Sequence, residues 1–142
     1  MPRPVLTPDP APRDEPVLRL RDVHRSLGRG RARNPVLRGV DLTARAGAVT
    51  VLLGPNGAGK STTLGLCHGM DRPDAGAVRV FGADPWRAPA DLRARIGVMW
   101  QEGGLPPAIP ARRFVGHVAS LYRDPLPVEP LLERLLIAEV AG

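Results

Sequence analysis

Apolar and polar positions change rhythm several times along this chain, and each change predicts a different element. Over residues 17–23, Leu18 and Leu20 share one parity and Arg19 and Arg21 the other, the period-two pattern of a half-buried strand. Residues 25–35 lack that rhythm and read as a loop. Alternation returns over residues 36–44, where Val40, Leu42 and Ala44 fall in register, and Ala46-Gly47 marks a turn. The two segments predict an antiparallel pair. Val49, Val51, Leu52 and Leu53 then form a near-continuous apolar run, as expected of a parallel strand covered on both faces. After a glycine-rich turn, residues 60–68 contain no proline, Gly69 stands where a helix C-cap falls, and Asp71-Arg72-Pro73-Asp74 supplies a turn, so a short helix is expected. A strand over 78–81, a short helix over 89–95 and a second apolar strand over 96–100 follow. Pro106, Pro107 and Pro110 delimit a loop before a helix that aligns Phe114, Val118, Leu121 and Tyr122 at i, i+4, i+7 and i+8. A last helix is expected over 128–140, with Pro130 in its first turn and Leu131, Leu132, Leu135 and Leu136 on one side. No internal repeat is visible.

Composition changes this picture in three places. Six prolines and no glycine fall within residues 1–16, which predicts an extended, disordered leader and leaves residues 17–142 as one folding unit. Leu, Ile, Val and Phe supply 37 of the 142 residues, enough for a core. No apolar run approaches the ~18 residues that cross a bilayer, and the leader has no apolar stretch like that of a signal peptide, so a soluble cytoplasmic chain is expected. Cys67 has no second cysteine to pair with, and His24, His68 and His117 are scattered, which excludes a disulfide scaffold and a structural zinc domain. Cys67 on an apolar helix face is expected to act as a small core residue. The net charge of +6 is uneven, since the first 48 residues carry 10 Arg against 5 acids. Arg19, Arg21, Arg25, Arg29, Arg31, Arg33 and Arg38, with only Asp22 among them, lack interleaved aromatics, so a solvated edge is expected and no nucleic-acid partner.

The chemistry concentrates at the chain's only lysine. Gly54-Pro55-Asn56-Gly57-Ala58-Gly59-Lys60-Ser61 follows the pattern glycine, four residues, Gly-Lys-Ser/Thr, between an apolar strand and a helix. Glycines let backbone amides turn toward phosphate oxygens, the helix N-terminus adds positive potential, lysine bridges the outer phosphates, and serine ligates magnesium. At this chain's residue frequencies the motif is expected by chance in fewer than about one such sequence in a thousand.

Residues 53–64, LGPNGAGKSTTL, resemble the Walker A segment of an ATP-binding cassette (ABC) transporter ATPase. The likeness extends through nearly all of residues 17–142. It includes VLRGVDLTARAGAVTVLLGPNGAGKST before the helix and GMDRPDAGAVRVFGADP after it. IGVMWQ followed by EGGLPP resembles the Q-loop of cassettes serving drug-resistance-type exporters, and Gln101 is the chain's only glutamine. The resemblance implies an α/β P-loop NTPase fold with an N-terminal antiparallel β subdomain, incomplete at the C-terminus. It implies ATP and Mg2+ as ligands, held by Gly54, Pro55, Asn56, Gly57, Ala58, Gly59, Lys60, Ser61 and Thr62. Lys60 and Gln101 take catalytic roles, and Ser61 and Gln101 reach the metal. The implied partners are separate membrane subunits and a second nucleotide-binding domain in a head-to-tail dimer, and the implied location is the inner face of the cell membrane.

Two positions depart from the family pattern. Leu27 takes the place of the aromatic residue that stacks on adenine, and Pro110-Ala111-Arg112-Arg113 stands where Thr-Val-x-Glu usually opens a helix. No Ser-Gly-Gly signature loop, no four apolar residues ending in Asp-Glu and no switch histidine occur in these 142 residues. The chain is therefore expected to be the N-terminal part of a cassette, inactive in hydrolysis by itself. A truncated, binding-only or vestigial chain is the alternative. A different P-loop enzyme such as a GTPase fits less well, because the Asn-Lys-x-Asp guanine motif is missing.

Overall fold

The computed structural model describes residues 16–99 and 109–142, in two compact units divided between Ile96 and Gly97. Residues 1–15 of the expected leader, and Gln101 with the rest of residues 100–108, lie outside the described residues. Pro16 does not belong to a leader: it is the first residue of β1 and pairs with Arg45.

The first unit is built on a three-stranded sheet of β1 (Pro16–Leu27), β2 (Asn34–Arg45) and β3 (Ala75–Val80), in the order β2-β1-β3 and antiparallel throughout. The expected hairpin forms, but its strands run further and the loop between them shrinks from residues 25–35 to 28–33. Leu20 and Val23 of β1 are both buried, although three residues apart, because the register with both neighbours shifts between them. Asp22 stands in that bulge at φ 47° and restores the phase. Its amide donates to Asp41 Oδ1 at 3.1 Å and its carboxylate meets His24 Nε2 at 2.9 Å.

Helix α1 (Lys60–Cys67) covers the apolar face of the sheet: Leu66 and Cys67 pack with Leu20, Val23, Leu37 and Val78, flanked by Leu18, Val36, Val40 and Leu42. The helix stops as expected at Gly69. Met70 N–H donates to Gly65 O at 3.0 Å and Gly69 N–H to Leu66 O at 3.2 Å, a Schellman closure with Gly69 at φ 70°. A side chain at this position would run into the carbonyl of Pro85. Helix α2 (Ala90–Arg93) is a single turn within the expected 89–95.

Two expected strands do not form. Residues 49–53 belong to no strand and pair with nothing described, with Val49 92%, Val51 66% and Leu53 86% exposed, and residues 96–99 are likewise unpaired, with Met99 97% exposed. The physical reason is common to both. A parallel strand exists through neighbours that take its hydrogen bonds and cover its two faces, and among the described residues no segment does so.

The second unit holds α3 (Ala111–Ala119) and α4 (Val128–Arg134). Helix α3 ends before Leu121 and Tyr122, which are exposed, so the expected stripe from Phe114 to Tyr122 does not form one packed face. Helix α4 ends six residues short of Val140. Leu136 turns left-handed at φ 57°, its N–H donates to Glu133 O at 3.0 Å, and Ile137 N–H donates to Leu132 O at 3.1 Å. This is the closure seen at Gly69, made here with a leucine. Arg112 ties the unit together: Nε donates to Glu129 Oε1 at 2.8 Å, Nη2 to Ala138 O at 2.9 Å, and the backbone amide to Ala141 O at 3.1 Å. Leu132 and Ala141 are buried.

Candidate functional site

The glycine-rich loop crosses from the unpaired segment to the first turn of α1. Ala58 N–H donates to Pro55 O at 3.2 Å, closing a turn over Asn56 and Gly57. Gly59 caps the helix at φ 86°, a left-handed conformation, and lies against β2: a Cβ there would stand 2.6 Å from Leu37 Cδ2 and 3.1 Å from Val36 Cγ1. Glycine is required on both counts. Buried Thr63 fastens the turn from the other side, with its Oγ1 donating to Gly59 O at 2.9 Å and its amide to the same oxygen at 2.8 Å.

Lys60, the first residue of α1, bends its ammonium back across the loop and donates to Gly54 O at 2.7 Å and Pro55 O at 2.8 Å. The structure thus brings Gly54, Pro55 and Lys60 into direct contact, with Asn56, Gly57 and Ala58 forming the turn between them. Ser61 is exposed and Thr62 half-buried in the helix's first turn. No side chain caps that end of α1 and no acid lies in its first turn, which leaves its leading amides and partial positive charge available to an anion. Space beside Gly57 is open. An exposed loop, a cation at its mouth and an uncapped helix start suit a phosphate chain, and the Ser61 hydroxyl suits a magnesium ligand.

Sequence reasoning missed an ion-pair cluster that anchors the hairpin end. Arg25 grips Asp71 with both arms of its guanidinium, Nε to Oδ2 at 2.9 Å and Nη2 to Oδ1 at 2.7 Å, and reaches Asp74 Oδ1 with Nη1 at 3.1 Å. Asp74 Oδ2 accepts from Ser26 N–H at 2.7 Å and meets Arg33 Nη2 at 2.7 Å. The Ser26 amide, and then the two guanidiniums, hold the Asp74 carboxyl down at about 2 against an opposing desolvation effect. Arg25 and Arg33 therefore depart from the solvated edge expected of the basic stretch. No spacing signal links positions 25 and 71. Leu27 closes β1 two residues beyond Arg25, 42% exposed and paired in register with Asn34.

Cys67 is buried in the core, which pushes its thiol up to about 11 and makes it inert. Burial lowers the His68 pKa. Among the described residues no group of three His, Cys, Asp or Glu side chains could hold a metal ion, and no helix is long and apolar enough to cross a membrane.

The antiparallel sheet, the glycine loop and the helix that starts at its lysine define a P-loop nucleotide-binding fold. The family model for ABC transporters matches residues 37–139, and the chain belongs to that family. It is 35% identical over 128 residues to the macrolide export ATP-binding/permease protein MacB of Marinobacter nauticus, covering 85% of this chain and 20% of MacB. It is 44% identical over 101 residues to the lipoprotein-releasing system ATP-binding protein LolD of Anaeromyxobacter dehalogenans, covering 68% of this chain and 42% of LolD. Among solved structures, the ATP-binding cassette MJ0796, a dimer in a post-hydrolysis state bound to ADP and Pi, superimposes with a TM-score of 0.67 at 26% identity, over 84% of this chain and 54% of that one. The chain thus spans less than half of the two relatives and about half of the cassette.

Proposed function

We propose that residues 17–142 are the ATP-binding, N-terminal part of an ABC transporter nucleotide-binding domain of the drug-resistance exporter type. The observation that carries this reading is the position of Lys60, at the mouth of a glycine loop that opens onto an uncapped helix start. The triphosphate would lie along residues 54–62, with the loop amides turned to its oxygens and the Lys60 ammonium exchanging its two carbonyl partners for phosphate oxygens. Ser61 would hold magnesium, with Gln101 as a further ligand by family resemblance; the metal neutralises phosphate charge when bound. Gln101 would also orient the attacking water.

Hydrolysis needs a positioned base and donors for the developing charge, which this reading assigns to segments outside these residues and to a second nucleotide-binding domain. The unpaired residues 49–53 support it, as a strand awaiting parallel neighbours. The similarity to MacB, a macrolide exporter, and to LolD, part of a lipoprotein-releasing system, favours work through membrane subunits and a peripheral place on the inner face of the membrane. The second reading, a binding-only chain without turnover, shares the nucleotide site and differs only in lacking those completing parts.

The test is titration of a fluorescent ATP analogue with magnesium. Lys60→Ala is expected to weaken binding by at least ~100-fold, because the bound triphosphate loses its charge-assisted donor. Equal affinities in the two proteins overturn the reading.

A further inference from the structure

The outer face of the sheet carries an arrangement that neither the nucleotide loop nor the core explains. In the β1–β3 ladder Arg19 stands directly opposite Arg79, between the core-facing pairs Leu18–Val80 and Leu20–Val78. Like charges placed directly across a ladder repel and destabilise it. Both arginines line an open groove of about 480 Å3 whose other walls include Arg95, Phe81, Pro16 and Val17. Arg95 lies over the Phe81 ring with its guanidinium carbon 3.9 Å from the ring centre. Phe81 is itself fixed by its N–H bond to Val17 O at 2.8 Å, in a left-handed backbone conformation at φ 49°.

Among the described residues no carboxylate lines the groove, and no acid pairs with Arg19, Arg79 or Arg95. Arg79 Nη1 donates to the adjacent Val78 carbonyl at 3.0 Å, a bond within its own strand that leaves the rest of the guanidinium facing the groove. The contrast with Arg25, whose guanidinium meets two aspartates, is direct. Three guanidiniums facing one groove match an anion with several oxygens and a double charge, since each planar fork donates two parallel hydrogen bonds. A single carboxylate offers two oxygens and one charge and would leave the third arginine unanswered. Arg95 already covers a face of Phe81, which argues against a base stacked there. The volume exceeds that of a bare phosphate and falls in the range of small-ligand sites, while Pro16 and Val17 give one wall an apolar lining.

We infer that this groove binds a phosphate monoester with a small organic body, through Arg19, Arg79 and Arg95. The site shares no residue with the glycine loop. The monoester has two possible sources, a free metabolite-sized ester or the headgroup of a lipid such as phosphatidic acid, and the chemistry that recognises it is the same.

The test uses the full 142-residue chain carrying Lys60→Ala, so that the loop does not compete for phosphate. Glycerol 3-phosphate is titrated against 15N-labelled protein while the Nε–Hε signals of the three arginines are followed, with glycerol as the control. Saturation at or below ~1 mM in ~0.15 M salt is expected, and Arg79→Gln and Arg95→Gln are each expected to weaken it at least ~10-fold, whereas Arg29→Gln changes nothing. Without ligand, Arg79→Gln is expected to melt no lower than its parent because it removes the cross-strand repulsion; should it fail to fold, Arg95→Gln carries the test from an exposed position outside the sheet. Co-sedimentation with phosphatidylcholine vesicles containing phosphatidic acid, lost in Arg95→Gln, assigns the site to lipid; saturation by glycerol 3-phosphate without vesicle binding assigns it to a free ester. Shifts that rise linearly with no saturation by ~20 mM, an equal response to glycerol, or wild-type affinity in both variants overturns the inference.

Discussion

At position 27 strand β1 ends in an aliphatic side chain, where family resemblance places a flat ring to stack on adenine. Leucine offers contact area but no π-face, and aromatic stacking on a base contributes ~1–3 kcal/mol in nucleic-acid complexes. ATP and GTP are therefore expected to compete almost equally for the loop, measured by displacement of a fluorescent analogue, and Leu27→Tyr is expected to tighten ATP by roughly 5- to 150-fold. A tenfold preference of the unmodified chain for ATP would assign base recognition to another residue. The scale of single residues is also where the sequence was most informative. Lys60 was marked by its motif and by its isolation among 19 arginines, and its contacts with Gly54 and Pro55 follow from spacings of six and five residues. Cys67 as a core residue was equally readable, from a helix face that the sheet covers.

Elements were legible as far as their order depends on local pattern. The hairpin and α1 needed only alternation, an uninterrupted helical run and a glycine stop. The ends of β1 and β2 were not legible, because what extends β1 to Leu27 is a contact with Asp71 and Asp74, and long-range ion pairs leave no periodic trace. The end of α4 was obscured for another reason: a leucine, rather than a glycine, takes the left-handed turn. Asp74 links the hairpin end to the segment after α1, and its carboxyl is depressed to about 2 from an ordinary 3.8. A group depressed in the folded state contributes stability that is fully present above its unfolded pKa and is lost as pH falls through the folded one. The melting temperature of Asp74→Asn should therefore lie below wild type at neutral pH, and the gap should close between about pH 4 and about pH 2. A gap that stays constant over that range would show that the carboxylate charge contributes nothing. Where α1 ends, Gly69→Ala sets a Cβ against the Pro85 carbonyl in a left-handed residue, and a loss of about 1–3 kcal/mol is expected in urea unfolding.

For the molecule as a whole, the two missing strands matter most. Sequence pattern identified residues 49–53 and 96–100 as strand-like, but a parallel strand is a property of its neighbours, and no pattern internal to a segment supplies them. Val49, Val51 and Leu53 consequently stand in water beside the glycine loop. The 142-residue chain is expected to self-associate as its concentration rises, seen by light scattering, and Val51→Lys with Leu53→Lys is expected to reduce this. It is also expected to release no phosphate from saturating MgATP above background, since these residues contain no Walker B carboxylate pair. Turnover that Lys60→Ala abolishes would require a base elsewhere in the chain. The bulge at Asp22 has a consequence for how the first unit comes apart. A strand in one uninterrupted phase opens like a single zipper, and a slip anywhere along it moves every tooth. With the phase reset between Leu20 and Val23, and again beyond Val23 in the ladder with β2, the segment bonded to Val78 and Val80 behaves as a short zipper joined by a swivel to the rest of β1. A slip in either stops at the joint, so amide protons on its two sides should exchange as separate groups rather than together.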